Sequence, residues 1–256
     1  MIDLSSLVKW ALGIVATVIG SLLSIFVLVF DRDGRYLHWS MGCWARWCLA
    51  IAGLRIEISG LENVKDKGPY VVVANHQGQA DILVISAVLP FPFLWVAKKE
   101  LFRIPLLGFA MKRAGFISLD RSHREKAIQS MGVVAEKVRQ GKSVVMFPEG
   151  TRSRDGKLQP FKRGAFHLAA ETGASILPVM IQGSFDVLPK GSAKIRSRTI
   201  KVRFFEPINS GNYGLARKDK LQEEVWGILN SGLAGILTPV DGLDRVPSLN
   251  QRNSEP

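Results

Sequence analysis

Residues that carry redox, disulfide or metal chemistry are scarce in this sequence. Cys43 and Cys48 are its only cysteines, and they fit neither a disulfide framework nor a zinc-ligand pattern. His38, His123 and His167 have no partner at metal-ligand spacing, and HExxH and CxxC patterns are absent. Because Walker-type and GxGxxG loops are absent as well, we expect neither a metal nor a nucleotide cofactor.

Acidic residues are also in deficit. The chain of 256 residues has 22 acidic against 34 basic residues, giving a formal net charge of +12. Such a charge favours an anionic partner: nucleic acid, a phospholipid surface or a phosphorylated substrate. Nucleic-acid binding requires basic residues interleaved with exposed aromatic residues. Here the aromatic residues are instead concentrated in an apolar N-terminal segment, so we expect no nucleic-acid partner.

Charged residues are missing altogether from residues 10–30. A helix over this range would be about 31 Å long, close to the thickness of the hydrocarbon core of a bilayer. The segment is not typical of a signal peptide, because Lys9 is the only cation before it and no small-residue cleavage site ends it. Small residues share one helical face, which would let a second helix approach closely. They are Gly13, Ala16, Thr17, Gly20 and Ser24.

A second apolar helix is predicted over residues 37–51, after a charged turn at 31–35. Trp39, Trp44 and Trp47 lie in this segment, and tryptophan is typical of a helix at the level of the lipid headgroups. Two membrane geometries fit: a true span, or a two-helix hairpin that dips into one leaflet. Two ordinary buried helices are the alternative, and the length of the uncharged run argues against them.

The remainder of the chain predicts an α/β domain. Leu54, Ile56 and Ile58 alternate with polar residues, as in a half-exposed strand, whereas Tyr70–Ala74 is continuously apolar, as in a strand covered on both faces. Strands that alternate with helices indicate a largely parallel sheet flanked by helices. The further predicted strands are 93–97, 116–119, 143–147, 176–181 and 200–205.

This pattern divides the chain into three segments. Residues 1–53 are predicted to form a membrane-associated two-helix hairpin, and residues 54–240 to form the α/β domain. Residues 241–256 are polar and are predicted to be a disordered tail. Within the domain a late helix is predicted over 215–237, and one helical stripe is strongly apolar. That stripe consists of Ile128, Met131, Ala135 and Val138.

The first of two polar motifs, NHQGQAD at 75–81, follows a buried predicted strand. In open parallel sheets, ligands bind beyond the carboxyl ends of the strands. If His76 lies in the turn and Asp81 in the first turn of the next helix, the carboxylate can accept from Nδ1 and leave Nε2 as an acceptor. Spacing alone equally allows Asp81 to be a helix cap and His76 a turn residue. Since no serine or cysteine is evidently placed as a nucleophile, the activated hydroxyl would belong to the substrate.

The second polar motif, FPEGTRS at 147–153, follows another apolar predicted strand. Arg152 suits a bidentate grip on phosphate, and Glu149 could hold a neighbouring arginine or a substrate hydroxyl. Backbone N–H groups also lie around Gly150, and a salt-bridged surface turn is the alternative. Cations that topology could bring to the same edge, each of which could equally be a solvated surface residue, are Lys98, Lys99 and Arg121.

Taken together, these motifs resemble the glycerolipid acyltransferase family, specifically its 1-acyl-sn-glycerol-3-phosphate acyltransferases. NHQGQAD matches the family's NHxxxxD motif, and FPEGTRS matches its third block in full. KKELFRIPLLG at 98–108, continuing to Gly115 and Arg121, matches the second block, and LPV at 177–179 resembles the fourth. The resemblance covers about residues 54–210, and four blocks in order are far more specific than HxxxxD alone.

The resemblance implies an activity. A fatty acyl chain would pass from acyl-CoA or acyl-carrier protein to the sn-2 hydroxyl of lysophosphatidic acid, giving phosphatidic acid, with no cofactor besides the donor. His76 would be the general base, Asp81 would fix its tautomer, and a backbone N–H near Gly150 would be the candidate donor to the tetrahedral oxyanion. The phosphate and glycerol of the acceptor would be held by Lys98 or Lys99, Arg121, Glu149, Gly150, Thr151 and Arg152.

The resemblance also implies partners and a location. A phospholipid membrane, lysophosphatidic acid and the acyl carrier are all anionic, in keeping with the net charge. The N-terminal helices resemble the membrane-embedded element of bacterial members, which implies the cell inner membrane with the catalytic domain on its cytoplasmic face. The alternative within the enzyme class is the same chemistry on another lysophospholipid or a lyso-aminolipid. A metal-dependent hydrolase would need ligands that the sequence lacks.

Overall fold

A computed structural model describes residues 3–31, 33–64, 68–120, 124–189, 192–235 and 244–245. The helices are α1 (Leu4–Val27), α2 (Arg35–Ala52), α3 (Ala80–Val88), α4 (Leu107–Arg113), α5 (Arg124–Arg139), α6 (Gly164–Thr172) and α7 (Lys218–Gly235). The strands are β1 (Arg55–Ser59), β2 (Tyr70–Ala74), β3 (Phe93–Lys98), β4 (Ile117–Leu119), β5 (Ser143–Met146), β6 (Ser175–Gln182), β7 (Thr199–Phe204) and β8 (Asp244–Arg245). Short 3₁₀ turns lie at Leu61–Asn63, Lys99–Arg103, Ser210–Asn212 and Leu215–Arg217.

The strands form one sheet in the order β4-β3-β5-β2-β6-β7-β1-β8. All neighbouring strands are parallel except β6 with β7 and β1 with β8. The predicted α/β class with a largely parallel sheet is therefore confirmed. Strand β2 lies at the centre and is buried along its whole length, which is why its sequence is continuously apolar.

Helices cover both faces of the sheet. Val72 of β2 packs with residues of α2 and α3 on one face, whereas Val71 and Val73 pack with α5, α6 and α7 on the other. The predicted stripe on α5 is confirmed at Ala135 and Val138, which are fully buried. Ile128 of the same stripe is 61% exposed, because α5 packs through its C-terminal half. Both β2 and β5 are thus enclosed, and only their ends can contribute to a site.

The small residues of α1 allow α2 to approach closely, as predicted. A β-carbon added to Gly20 would lie 2.7 Å from the Trp44 ring, so a larger residue there would push the helices apart. Trp44 Nε1 donates to Thr17 Oγ1, and the hydroxyls of Ser24 and Ser40 are 3.2 Å apart. These pairs run in opposite chain directions, so α1 and α2 form an antiparallel pair.

The start of α1 is attached to the α/β domain through polar contacts. Trp10 Nε1 donates to the Ala193 carbonyl, and Ser6 Oγ accepts from the Ile195 N–H. Lys9 Nζ donates to the Ala52 carbonyl and to Ser197 Oγ. The N-terminus of α1 and the loop before β7 therefore lie together, and the turn between α1 and α2 lies at the far end of the pair.

Helix α1 is long and apolar enough to cross a membrane. Only 17% of the residues in its most apolar 18-residue stretch are buried. Its exposed side chains include Leu12, Val15, Ile19, Leu22 and Phe26. In α2, Trp39 and Trp47 are exposed, whereas Leu37 and Cys48 are buried. One apolar surface thus extends over both helices. This surface is the part of the predicted membrane element that the structure supports.

The tail predicted over residues 241–256 lies outside the described residues except at Asp244–Arg245. These two residues form β8, which pairs antiparallel with β1. This pairing covers part of the outer edge of β1.

Candidate active site

The sheet brings the two polar motifs together. Strands β2 and β5 are parallel neighbours, with Val73 opposite Met146 near their carboxyl ends. The residues that follow each strand, 75–81 and 147–153, therefore leave the sheet side by side. Asn75 fixes the first of them, because its amide group donates to the Ile181 carbonyl and accepts from the Ile181 N–H at 2.8 and 2.7 Å.

His76 and Asp81 form a hydrogen-bonded pair. His76 lies in the turn after β2, Asp81 lies in the first turn of α3, and Nδ1 is 2.8 Å from Oδ2. The same Oδ2 accepts the backbone N–H groups of Gln77 and Gly78 at 2.7 and 2.8 Å. Asp81 thus closes the turn and orients the imidazole at once, whereas the cap of α3 is Gln79 and not Asp81. Nε2 of His76 remains as the acceptor.

The imidazole is also held by its neighbours. Its ring stacks on Phe147, with centroids 4.1 Å apart and planes 12° from parallel, and its side chain is 15% exposed. Trp95 also stacks on Phe147, with centroids 5.6 Å apart. This contact of Phe147 was not predicted, and the only signal for it was the place of Phe147 in FPEGTRS, beside the end of β5.

The backbone of His76 is bound to the second motif. Glu149 Oε1 accepts the His76 N–H at 2.6 Å, and the Ser153 N–H donates to the His76 carbonyl at 2.8 Å. Glu149 Oε2 accepts the Gln159 N–H at 3.0 Å. Both carboxylate oxygens of Glu149 are therefore occupied by backbone N–H groups. The structure places Glu149 in the support of the histidine rather than in the substrate contact that we expected.

Glu149 is a buried acid, only 4% exposed. Burial raises its pKa to about 7, in opposition to the hydrogen bonds from His76 and Gln159, which lower it; the charge of Asp81 adds to the rise. The carboxyl group of Glu149 thus titrates near neutral pH while holding the backbone of the candidate base. Sequence spacing could not show this burial.

The predicted cations separate into two groups. Lys98 and Arg152 line the same cavity as His76, together with Gly150 and Thr151. Lys99 points elsewhere, because its Nζ is 3.0 Å from a carboxylate oxygen of Asp120. Arg121 lies outside the described residues. Of the four predicted cations, Lys98 and Arg152 are thus the ones that the structure brings to the histidine.

Gly150 adopts a left-handed backbone conformation, with φ of 73°. Its N–H donates to the Phe147 carbonyl at 3.1 Å, which closes the turn after β5. We had expected a backbone N–H near Gly150 as an oxyanion donor, and the N–H of Gly150 itself is already used in the turn. Lys162 covers the same glycine, since a β-carbon added there would lie 3.0 Å from both Cε and Nζ of Lys162.

The cavity beside His76 has a volume of about 520 Å³. Most of its wall is apolar and comes from α1, α2, β3 and α4, so the two N-terminal helices and the polar motifs enclose one space. Apolar side chains in this wall are Leu37, Met41, Trp44, Trp95, Leu107, Met111 and Phe116. A cavity of this size, with a few convergent polar groups, is typical of a ligand-binding site.

The chain is similar in sequence to known acyltransferases over the region that contains this site. A sequence model of the family described as "Acyltransferase" matches residues 55–182, which include both polar motifs. A 1-acyl-sn-glycerol-3-phosphate acyltransferase of Limnanthes douglasii is 35% identical over 199 residues, covering 76% of this chain and 69% of the relative. A chloroplastic 1-acyl-sn-glycerol-3-phosphate acyltransferase of Brassica napus, BAT2, is 37% identical over 186 residues, covering 72% of this chain.

The chain spans 54% of the length of the Brassica relative. A solved structure is similar over almost its whole length: the crystal structure of the 1-acyl-sn-glycerophosphate acyltransferase PlsC from Thermotoga maritima. The TM-score is 0.81 and the identity 25%, with 93% of this chain and 97% of that chain covered. The similarity therefore includes the N-terminal helices as well as the sheet.

Proposed function

We propose that this chain, which belongs to the acyltransferase family, transfers a fatty acyl group to the sn-2 hydroxyl of lysophosphatidic acid and so forms phosphatidic acid. The observation that carries the proposal is the His76–Asp81 pair in one cavity with Lys98, Arg152 and apolar walls. A base, phosphate-binding cations and apolar space are what a lysophospholipid and an acyl donor together require. The names of the relatives support the same acceptor.

The transfer would proceed by direct attack. Nε2 of His76 takes the proton from the sn-2 hydroxyl, and the hydroxyl oxygen attacks the thioester carbon of acyl-CoA or acyl-carrier protein. A C–O bond forms, the C–S bond then breaks, and the imidazolium returns the proton to the leaving thiolate. The Asp81 carboxylate stabilises the imidazolium throughout. We propose neither an acyl-enzyme intermediate nor any metal or cofactor besides the donor.

Arg152 and Lys98 would bind the acceptor phosphate. The phosphate is attached to the glycerol carbon next to the one that bears the reacting hydroxyl. Cations that line the cavity beside His76 therefore lie close enough to bind it. The guanidinium of Arg152 offers a bidentate grip, and Lys98 adds a point charge. Thr151 supplies a hydroxyl for the glycerol oxygens. We include Glu149 as the residue that holds His76, not as a ligand of the lipid.

Purified protein in mixed micelles tests the proposal directly. It would be given lysophosphatidic acid with a panel of acyl-CoAs and acyl-carrier proteins, and phosphatidic acid would be quantified. Other lysophospholipids and lyso-aminolipids serve as competing acceptors. We expect phosphatidic acid as the main product. Preferred acylation of an acceptor without a phosphomonoester would contradict the proposed role of the cavity cations.

Asp81→Asn should lower kcat about tenfold and leave KM for lysophosphatidic acid nearly unchanged. The N–H groups of Gln77 and Gly78 both require an acceptor at the Oδ2 position, so the asparagine carbonyl must take that place. His76 then keeps its tautomer and loses only the negative charge behind it. Steady-state kinetics of the purified variant measure both constants, and a change confined to KM would argue against an orienting role.

We further propose that α1 and α2 form a hairpin that enters one leaflet of the cell inner membrane, with the α/β domain on the cytoplasmic side. Two features support this geometry. The start of α1 is bound to the loop at 193–197, so the domain and the N-terminus lie on one side. Trp39 and Trp47 are exposed on α2, as in helices at the headgroup level.

Ile19→Asp should reduce membrane binding about tenfold, because an acidic residue in the hydrocarbon region is costly. Ile19 lies in the middle of α1 and is 47% exposed. Flotation with phospholipid vesicles in high salt measures the bound fraction. Leu215→Asp, at an equally exposed position outside the hairpin, is the matched control and should float like the wild type. Release of the wild type by high salt alone would contradict insertion.

A further inference from the structure

The loop that follows the Thr151 turn carries more cations than the acceptor phosphate needs. Residues 152–163, here called the basic loop, contain five basic side chains and one acidic one. Arg152 lines the cavity, and Arg163 forms an ion pair with Asp219 at 3.3 Å. The other three are exposed and, in the described part of the chain, form no ion pair. They are Arg154, Lys157 and Lys162.

The basic loop is held in a fixed shape against the candidate base. Ser153 Oγ donates to the Lys157 carbonyl, and the only acid of the loop, Asp155, accepts from the Lys157 N–H at 3.1 Å. Gln77 Nε2 donates to the Gly156 carbonyl at 2.8 Å, which ties the loop to the turn that carries His76. Three free cations are therefore presented on a preorganised surface, and the single acidic group is engaged within the loop.

Lys162 connects this surface with the cavity. Its N–H donates to the Pro148 carbonyl at 2.8 Å, and its side chain runs across Gly150, which lines the cavity. Lys162 itself is exposed and does not line the cavity. Its ammonium group thus lies at the rim, beyond the cations that we assign to the acceptor phosphate.

This placement fits a ligand whose charge is far from its reacting carbon. In an acyl-CoA the thioester and the phosphates are separated by the long pantetheine arm, so a thioester beside His76 would place the phosphates outside the cavity. Coenzyme A carries a diphosphate and a separate 3′-phosphate, which suits several independent cations. The prosthetic group of a carrier protein has a single phosphodiester and so offers these cations fewer phosphates.

We propose that Lys162, with Arg154 and Lys157, binds the nucleotide phosphates of an acyl-CoA donor at the rim of the cavity. The inference rests on the proposed function, because it takes the thioester to react beside His76. Two groups of cations then have different ligands. Lys98 and Arg152 bind the acceptor phosphate, and the exposed cations of the basic loop bind the donor phosphates.

Shortened donors test this division. Lys162→Gln would be compared with the wild type on three donors with one acyl chain: acyl-CoA, acyl-3′-dephospho-CoA and acyl-pantetheine. We expect KM for acyl-CoA to rise about tenfold, because the variant loses one charge-assisted hydrogen bond to a donor phosphate. KM for acyl-pantetheine and for lysophosphatidic acid should not change. Lys162→Arg should restore most of the affinity for acyl-CoA.

Lys142→Gln is the matched control. Lys142 is exposed and immediately precedes β5, so it lies at the opposite end of the strand that leads to Glu149. An equal effect of Lys162→Gln on all three donors, or a rise in KM for lysophosphatidic acid, would overturn the inference. With an acyl-carrier protein added as a fourth donor, an effect of Lys162→Gln on that donor alone would also overturn the inference. Failure of the proposed function is distinguishable, since the wild type would then form no phosphatidic acid from any donor.

Discussion

His76→Ala should lower kcat by about 10²–10⁴-fold, the usual contribution of a general base. The residue is suited to that role because Asp81 occupies Nδ1 and leaves Nε2 as the proton acceptor. The substitution removes the stacking on Phe147 but no residue of the hydrophobic core, since the ring lies at the cavity wall. The protein should therefore stay folded while it loses activity.

Phosphatidic acid formation in mixed micelles measures the loss, and thermal unfolding followed by circular dichroism reports on the fold. His167→Ala is the matched control, because His167 is 51% exposed on α6, away from both polar motifs. That control should keep wild-type kinetics. Near-normal turnover by His76→Ala would refute direct attack with histidine as the base, whereas a loss of folding in both variants would point to a general instability.

The largely parallel sheet and the meeting of the two polar motifs at one of its edges were predictable. Strand β2 is continuously apolar, and β5 is apolar after Ser143, because helices cover both of their faces, and that burial is visible in the sequence. The polar residues after each strand could then be assigned to one edge, because parallel strands end on the same side of a sheet. The stripe of small residues on α1 likewise predicted a close partner helix.

The supporting contacts of the site could not be predicted. Glu149 was expected to contact substrate, because a carboxylate beside a threonine and an arginine gives no sign of whether it faces the cavity or the backbone. Its partners, the N–H groups of His76 and Gln159, are present at every residue and leave no mark in the sequence. Lys162 was missed for a similar reason. Its place over Gly150 depends on the path of the basic loop, which no periodic pattern records.

Glu149→Gln should lower kcat about 10²-fold with little effect on KM for lysophosphatidic acid, because a small displacement of a catalytic group is costly. A glutamine has one oxygen and one amide group, so it can accept from His76 or from Gln159 but not from both. The other backbone N–H would then face an N–H₂ donor in a buried position. The backbone of His76 would lose its fixed place relative to the second motif.

The titration of Glu149 gives this prediction a distinctive pH dependence. In the ionised form both oxygens accept, whereas the protonated form turns one oxygen into a donor. Acyl transfer should therefore rise as the pH increases through about 7. The stability of the fold changes with pH in the opposite direction. Because burial raises the pKa in the folded state above its ordinary value of 4.5, the unfolded chain releases this proton first, and the free energy of unfolding falls between these pH values.

The size of this stability term is on the order of 3 kcal/mol, as a pKa change from 4.5 to about 7 implies. Denaturant unfolding at a series of pH values measures it, and Glu149→Gln should remove it. Glu171→Gln is the matched control, since Glu171 is a partly exposed acid that pairs with Arg139 on the surface. If Glu149→Gln raised KM for lysophosphatidic acid and left kcat unchanged, the result would instead indicate that Glu149 binds the substrate. Retention of the wild-type pH dependence of stability would show that another group titrates in its place.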